Sequence, residues 1–415
     1  MPKIHDNRAR GFKAEDSLCL LLARGRLTVH EQFRTRELLS SPVNWSHVLE
    51  RAYAHGVYPR VYSNLRELGF SGVPDPIRTE LKHAYLANAI RNQLLSQELA
   101  HLLSQLSDAS IPAIPLKGVS LAESLYGDPA TRVSTDVDLL VPPPRLDDAI
   151  ELIRAAGYPD VFDDSFFRKL DLRYGRHYAF RRDYVGRSTI VELHWRLVQH
   201  SSQDQAAVSD LWAEAQPTRC FGAPAHRLSP EWEFLYLAIH AADHAWQGLK
   251  WLADLHHLSI TRPPDWERVK EKAEQFGLER VVHLTLITCS QLLGTPLPDG
   301  YKWDSFTTNQ RLSPSELLSG PSEAVFAHLA LLHRPWDKLR CMANIVFVPK
   351  PADREFVRLP ENLGVLYYPL RALRLLGKHS WTFLSFRAHR SKSRGELPPS
   401  AKNLAGTIND KTAVA

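Results

Sequence analysis

The chain has 415 residues, 44% of them hydrophobic and 23% charged, with a formal net charge of +5. The composition is that of a soluble globular protein, and the length implies two or three domains rather than one core. No apolar run approaches the roughly 18 residues that would span a membrane. The four cysteines, Cys19, Cys220, Cys289 and Cys341, are far apart and form no CxxC pair, so they read as buried free thiols rather than a disulfide framework.

The charge is unevenly placed. From Lys378 onward seven Lys and Arg face only Glu396 and Asp410, so the tail carries the whole excess and the body is neutral. A neutral body argues against a nucleic-acid channel running through it. The tail, 386–415, is polar and reads as disordered. With "LRALRLLGK" ahead of it, it offers a weak contact to a membrane surface or RNA. Near the N-terminus, Glu15 and Asp16 precede an apolar run, Leu18–Ala23, that is shorter than the roughly 7–15 residues of a signal peptide. A cytoplasmic location is therefore expected.

Residues from about 17 to 110 read as helical. "NWSHVLERAYAHGVYPRVYSNLREL" has apolar residues at helical spacing, with Asn44 or Ser46 as the starting cap. A long amphipathic helix follows, opened near Pro76 and carrying a stripe of Leu95, Leu99, Leu102, Leu103 and Leu106. Ile111–Leu116, with two prolines, reads as an edge strand. A short helix through Leu121, Leu125 and Tyr126 is broken by Gly127-Asp128-Pro129. Val137–Val141 is the next strand, "RLDDAIELIRAAGY" a helix ending at Gly157, and "GRHYAFRRDYVGRSTIVELHWRL" a hairpin around Tyr184-Val185-Gly186. From about 230 helices return. The first is opened by Ser229, Pro230, Glu231 and Glu233. Others are expected at 264–276, 278–294 and 314–335.

The chemistry concentrates on "DVDLLV". Alternate residues of a strand share a face, so Asp136 and Asp138 point the same way while Val137, Leu139 and Val141 face the core. Buried carboxylates need a partner, and two at this spacing suit a divalent cation such as Mg²⁺, which favours carboxylates, water and phosphate oxygens. Glu192, in "STIVELHWRL", leaves the apolar face in the same way and is the candidate third ligand or a general base. His194 shares its face. Upstream, Lys117-Gly118 stands between a strand and a helix. Gly118 permits close backbone approach to a phosphate, the helix N-terminus near Ser120 offers N–H groups, and Lys117 and Arg132 offer charge. Each has a plainer reading. Lys117 is a surface lysine, Gly118 only a turn, and Arg132 a partner of Asp128 or Asp136. His240, Asp243 and His244 share a helix face, for which three readings stand: hydrogen bonding among core tryptophans, a zinc site, or closure over a ligand.

The order "LKG…LAESLYGDPATRVSTDVDLLV…ELIRAAGY", then "VELHWRL", then "HAADHAW…LKWLADL", resembles the uncharacterised bacterial nucleotidyltransferase family of the DNA polymerase β-like superfamily. The resemblance covers roughly residues 20–380. It implies an α+β fold: a polymerase β-like core, a small mixed sheet with helices, flanked by N- and C-terminal helical regions. The division it suggests is 1–109, 110–228, 229–385 and the tail. It further implies Mg²⁺-dependent (or Mn²⁺-dependent) transfer of a nucleoside monophosphate from an NTP to an unidentified acceptor. Asp136 and Asp138 match the family's paired metal-binding aspartates, Glu192 fits the third acidic position, and Gly118 stands in the phosphate loop. Lys117-Gly118 replaces the superfamily's usual Gly-Ser or Gly-Gly pair. A non-catalytic nucleotide-binding protein on the same fold is the rival expectation.

Overall fold

Helical periodicity in the first hundred residues yields α1 (Ala14–Leu22), α2 (Val29–Leu39), α3 (Trp45–Ala54), α4 (Tyr58–Glu67) and α5 (Asp75–Asp108). The computed structural model describes residues 13–161, 164–184, 187–198, 201–299, 332 and 334–375. Asn44 caps α3 by accepting from the His47 amide at 3.3 Å. The 34 residues of α5 make a rod of about 50 Å. Its leucine stripe, Leu95 to Leu106, is buried against the sheet.

That sheet has four strands: β1 (Ile114–Pro115), β2 (Asp136–Leu140), β3 (His177–Tyr184) and β4 (Arg187–His194), in the order β1-β2-β4-β3. β1 is an antiparallel edge of two residues, as suits a segment whose prolines cannot donate to a ladder. β2 and β4 are parallel, and β3 and β4 antiparallel. The parallel pair requires a crossover, supplied by α7 (Leu146–Ala155), α8 (Ser165–Tyr174) and β3. Val137, Leu139, Val141, Val191, Leu193 and Phe180 bury one face with α5 and α7. Each such side chain contributes roughly 1.5–3 kcal/mol. The expected turn residues Val185-Gly186 lie outside the described residues.

Beyond the edge strand, α6 (Val119–Tyr126) ends at Gly127, whose φ of 69° suits the left-handed cap. After β4 come α9 (Asp204–Glu214), β5 (Gln216–Cys220) and β6 (Ala223–Arg227). Neither α8 nor the β5–β6 pair is foreseen in the sequence. Pro217 and Pro224 argue locally against strands, while Phe221 and Gly222, both at positive φ, close the turn between them.

Ser229 caps α10 (Pro230–Asp243), and α11 (Leu249–Thr261), α12 (Trp266–Phe276) and α13 (Glu279–Leu293) follow. These helices share a second hydrophobic core with α1, α3 and α4, including Leu20, Val48, Leu65, Trp232, Leu252 and Leu292. The expected helix at 314–335, apart from its last positions, and the basic tail lie outside the described residues. α14 (Pro335–Phe347) and α15 (Pro351–Phe356) come next along the chain. The chain divides into two compact units, residues 1–345 and 346–415. In the latter, buried Asp353 accepts from Arg371 at 3.1 Å and Arg374 at 2.6 Å. All four cysteines are free and buried. No described helix is long and apolar enough to cross a membrane.

Candidate active site

The face of the sheet opposite α5 carries the polar residues. The Leu116 amide donates to the Asp138 carbonyl at 3.1 Å, so the chain leaves β1 beside β2 and Lys117 emerges next to the aspartates. Gly118 turns it into α6 with φ 71° and ψ −134°, a conformation reserved for glycine. A Cβ there would sit 3.4 Å from the Asp136 carbonyl oxygen. The loop that returns to β2 is clasped by a polar stripe on α5. Tyr85 donates to Asp128 at 3.1 Å, Asn88 to the Ala130 carbonyl at 2.8 Å, and Asn92 to the Pro129 and Arg132 carbonyls at 2.6 Å.

Strand register then does the assembly. Asp138 lies opposite Glu192, and His194 opposite both Leu140 and His177. Small Ala179, across from Glu192, leaves that carboxylate room. Lys117 Nζ sits 2.8 Å from Asp138 Oδ2 and 3.3 Å from Asp136 Oδ2. His194 Nε2 lies 3.2 Å from Asp138 Oδ1 and 3.4 Å from Glu192 Oε2. Side-chain exposure rises from 0% at Asp138 to 23% at Asp136, 25% at Glu192 and 34% at His177. Asp138 is therefore the most deeply buried member of the cluster, and Asp136, Glu192 and His177 are partly exposed.

The charges support one another. Burial opposes the Lys117 ammonium, but Asp138 and then Asp136 outweigh it and hold its pKa above the usual range. Burial likewise opposes charge on His194, and its hydrogen bonds to Asp138 and Glu192 reverse the balance and raise it. Against the desolvation of Glu192, the His194 hydrogen bond and the charges of His177 and Lys117 pull its carboxyl below the normal range. His177 is pushed down to about 4 by burial and the neighbouring His194.

Sequence reasoning did not single out His177, nor Tyr236 and Arg176 around the site. Tyr236 on α10 is pushed up by burial and by Asp138, and Arg176 pairs with Asp243. Lys250 was also missed, although it lies in the "LKWLADL" run; Asp254 of the same run, a candidate to complete a zinc site with His240 and His244, instead pairs with Arg60 and Arg132.

Not every candidate joins the cluster. The Ser120 side chain lies beside the Cys220 thiol, away from the acidic cluster, and acts against the burial that pushes that thiol's pKa up. Arg132 is buried and pairs with neither Asp128 nor Asp136: its Nε donates to Asp254 Oδ2 at 2.9 Å, while Arg60 holds Oδ1 at 2.6 Å. His240 is buried, with its pKa well below the usual value through burial and the charge of Lys117. His244 stacks on Trp251 at 4.2 Å. Among the described residues, no triad at metal-ligand spacing includes His240 or His244. A cavity of about 530 Å³ lies beyond the end of β4, lined by Arg173, Arg196, Asp204 and Arg340 among others. None of the acidic triad borders it.

Donor atoms of Asp136, Asp138 and Glu192 all lie within 4.8 Å of one another, as do those of His177, Glu192 and His194. The first set is all oxygen, the donor type a hard divalent cation prefers. Asp138 Oδ2 is buried and receives no aligned hydrogen bond, although the Lys117 ammonium faces it. The residues thus fit a divalent ion, with the ammonium already in its neighbourhood.

Residues 41–294 match the model of a family described as "uncharacterised nucleotidyltransferase". No curated protein matches. Among solved structures, the crystal structure of an antigenic nucleotidyltransferase-like protein from Paracoccidioides brasiliensis is similar at 18% identity, covering 49% of this chain and 93% of that one, with a TM-score of 0.31.

Proposed function

The chain belongs to the uncharacterised nucleotidyltransferase family, and from that premise we propose that it moves a nucleoside monophosphate from an NTP to a hydroxyl acceptor, releasing pyrophosphate. The observation that carries this reading is the convergence of Asp136, Asp138 and Glu192 on neighbouring parallel strands, their donor atoms all within 4.8 Å of one another. Asp136 and Asp138, with Glu192, would hold Mg²⁺ or Mn²⁺. When bound, the ion neutralises phosphate charge at the reacting centre.

The chain's own side chains supply the rest. His194 donates toward both Asp138 and Glu192, which fixes the two carboxylates in one geometry. Glu192, kept ionised by His194, His177 and Lys117, completes the ligand set or takes the proton of the acceptor hydroxyl. That oxygen bonds to the α-phosphorus as the bond to the β-phosphate oxygen breaks, and pyrophosphate leaves with the electron pair. Lys117 turns its charge from the aspartates to the phosphates. Gly118 lets the backbone approach them. Arg132 acts as a positioning residue, tying the loop before β2 to α11 through Asp254.

A second reading, nucleotide binding without turnover, is favoured by Lys117 itself, whose ammonium already neutralises the aspartate pair. Calorimetric titration with ATP, GTP, CTP and UTP in the presence of Mg²⁺, paired with a pyrophosphate-release assay in cell extract, separates the two. Binding with release supports transfer. Binding without release, across a broad acceptor screen, supports the second reading, and no binding removes both.

A further inference from the structure

Four cations lie around the acidic triad, and three of them already have carboxylate partners. Lys117 pairs with Asp136 and Asp138, Arg132 with Asp254, and Arg176 with Asp243. The fourth is Lys250, in the first turn of α11. It makes no ion pair among the described residues, and its ammonium lies 5.4 Å from the centre of the Trp251 ring.

Its placement is specified from three directions. The Lys250 amide donates to the His55 carbonyl at 3.3 Å, and His55 Nδ1 lies 2.9 Å from the Gln247 carbonyl oxygen. The α3–α4 turn thereby holds the start of α11. The stem passes against Gly56: a Cβ there would meet Lys250 Cδ at 3.1 Å and Val133 Cβ at 3.7 Å. Val133 is three residues before Asp136, so the side chain reaches the loop that feeds β2. Trp251, which flanks it, is itself fixed by stacking on His244.

A cation in this position lies among like charges and forms no direct ion pair. Burial, and then Arg132 and Lys117, hold its pKa down to about 8, with the more weakly felt Asp136 and Asp254 acting in the opposite sense. A bound polyanion would turn that repulsion into charge-assisted hydrogen bonds, the strongest kind a lysine makes.

We propose that Lys250 binds the triphosphate of the nucleotide, reaching the acidic triad from the helical region that follows the sheet. This rests on the nucleotidyltransferase reading and adds to it a residue from outside the sheet and its phosphate loop.

The test uses Lys250→Met, which keeps the packing of the stem against Gly56 but removes the charge, and Lys250→Arg, which keeps the charge. The probe is inorganic tripolyphosphate, titrated by calorimetry against the full chain. One charge-assisted hydrogen bond corresponds to a loss of roughly tenfold to a hundredfold. Lys250→Met should lose affinity in that range and Lys250→Arg should retain it. Both variants should melt cooperatively, Lys250→Met at a temperature no lower than the wild type, and both should still bind Mn²⁺. Equal affinity of wild type and Lys250→Met, or no tripolyphosphate binding by wild type, overturns the proposal. The parent reading fails on a different readout, the absence of pyrophosphate release, which tripolyphosphate binding does not use.

Discussion

Lys117 and Asp138 form an ion pair of 2.8 Å in which the ammonium side chain is 10% exposed and the carboxylate fully buried. Such a pair gains little net stability, because desolvating both charges costs about what their attraction returns. What it does is place a cation against two neighbouring aspartates, on a flexible four-carbon stem that can swing away. A divalent ion entering between the aspartates has to displace that ammonium.

Replacing Lys117 by Met should therefore raise the affinity for Mn²⁺ without nucleotide, by about tenfold, equivalent to roughly 1.4 kcal/mol. The same change should lower turnover, since the phosphates lose their lysine. Electron paramagnetic resonance of free Mn²⁺ reads the first effect. Unchanged affinity would mean that the ammonium does not compete for the metal position.

Asp254 is a structural counterpart of the site. It is fully buried between Arg60 and Arg132 and also accepts from Tyr126 at 2.8 Å. Asp254→Ala leaves two buried guanidinium groups without a counter-charge and should destabilise the fold by about 3–5 kcal/mol. Urea unfolding followed by circular dichroism measures this, and a loss below about 1 kcal/mol would contradict the assigned role.

His256 links stability to pH. Burial and then the charge of Arg24 depress its pKa to about 3, and its Nδ1 lies 2.9 Å from Thr295 Oγ1. The folded value lies below the unfolded one of about 6.5, so the unfolded chain takes up the proton first. Its contribution is intact above about pH 6.5 and declines as pH falls toward 3, with a slope of up to about 1.4 kcal/mol per pH unit. His177 acts in the same sense and His194, whose pKa is raised, in the opposite one. Unfolding free energies between pH 7 and 4 should fall less steeply for His256→Gln than for the wild type. Parallel curves would remove His256 from the linkage.

The parts of the fold visible in the sequence were those with local physical signatures. Period-two alternation placed Asp136 and Asp138 on one face, and the caps at Asn44 and Ser229 and the glycine stops at Gly127 and Gly157 marked helix ends. The same alternation put Glu192 and His194 on the polar side of β4, and the parallel register then brought Glu192 opposite Asp138. Pairings between distant segments were not visible. Arg132 finds Asp254 122 residues later, and no local pattern distinguishes that from pairing with nearby Asp128. Lys250 and Tyr236 face the site because α10 and α11 return to it. The β5–β6 pair was hidden by its prolines, although Gly222 was a usable turn signal.

The most direct test of the acidic triad is label transfer from α-labelled NTPs in cell extract by the wild type and by Asp138→Asn, a near-isosteric change that removes the carboxylate charge. The account predicts labelled acceptor with the wild type and a loss of about a thousandfold or more, roughly 4 kcal/mol in the barrier, with the variant still folded. Undiminished transfer by folded Asp138→Asn would contradict it.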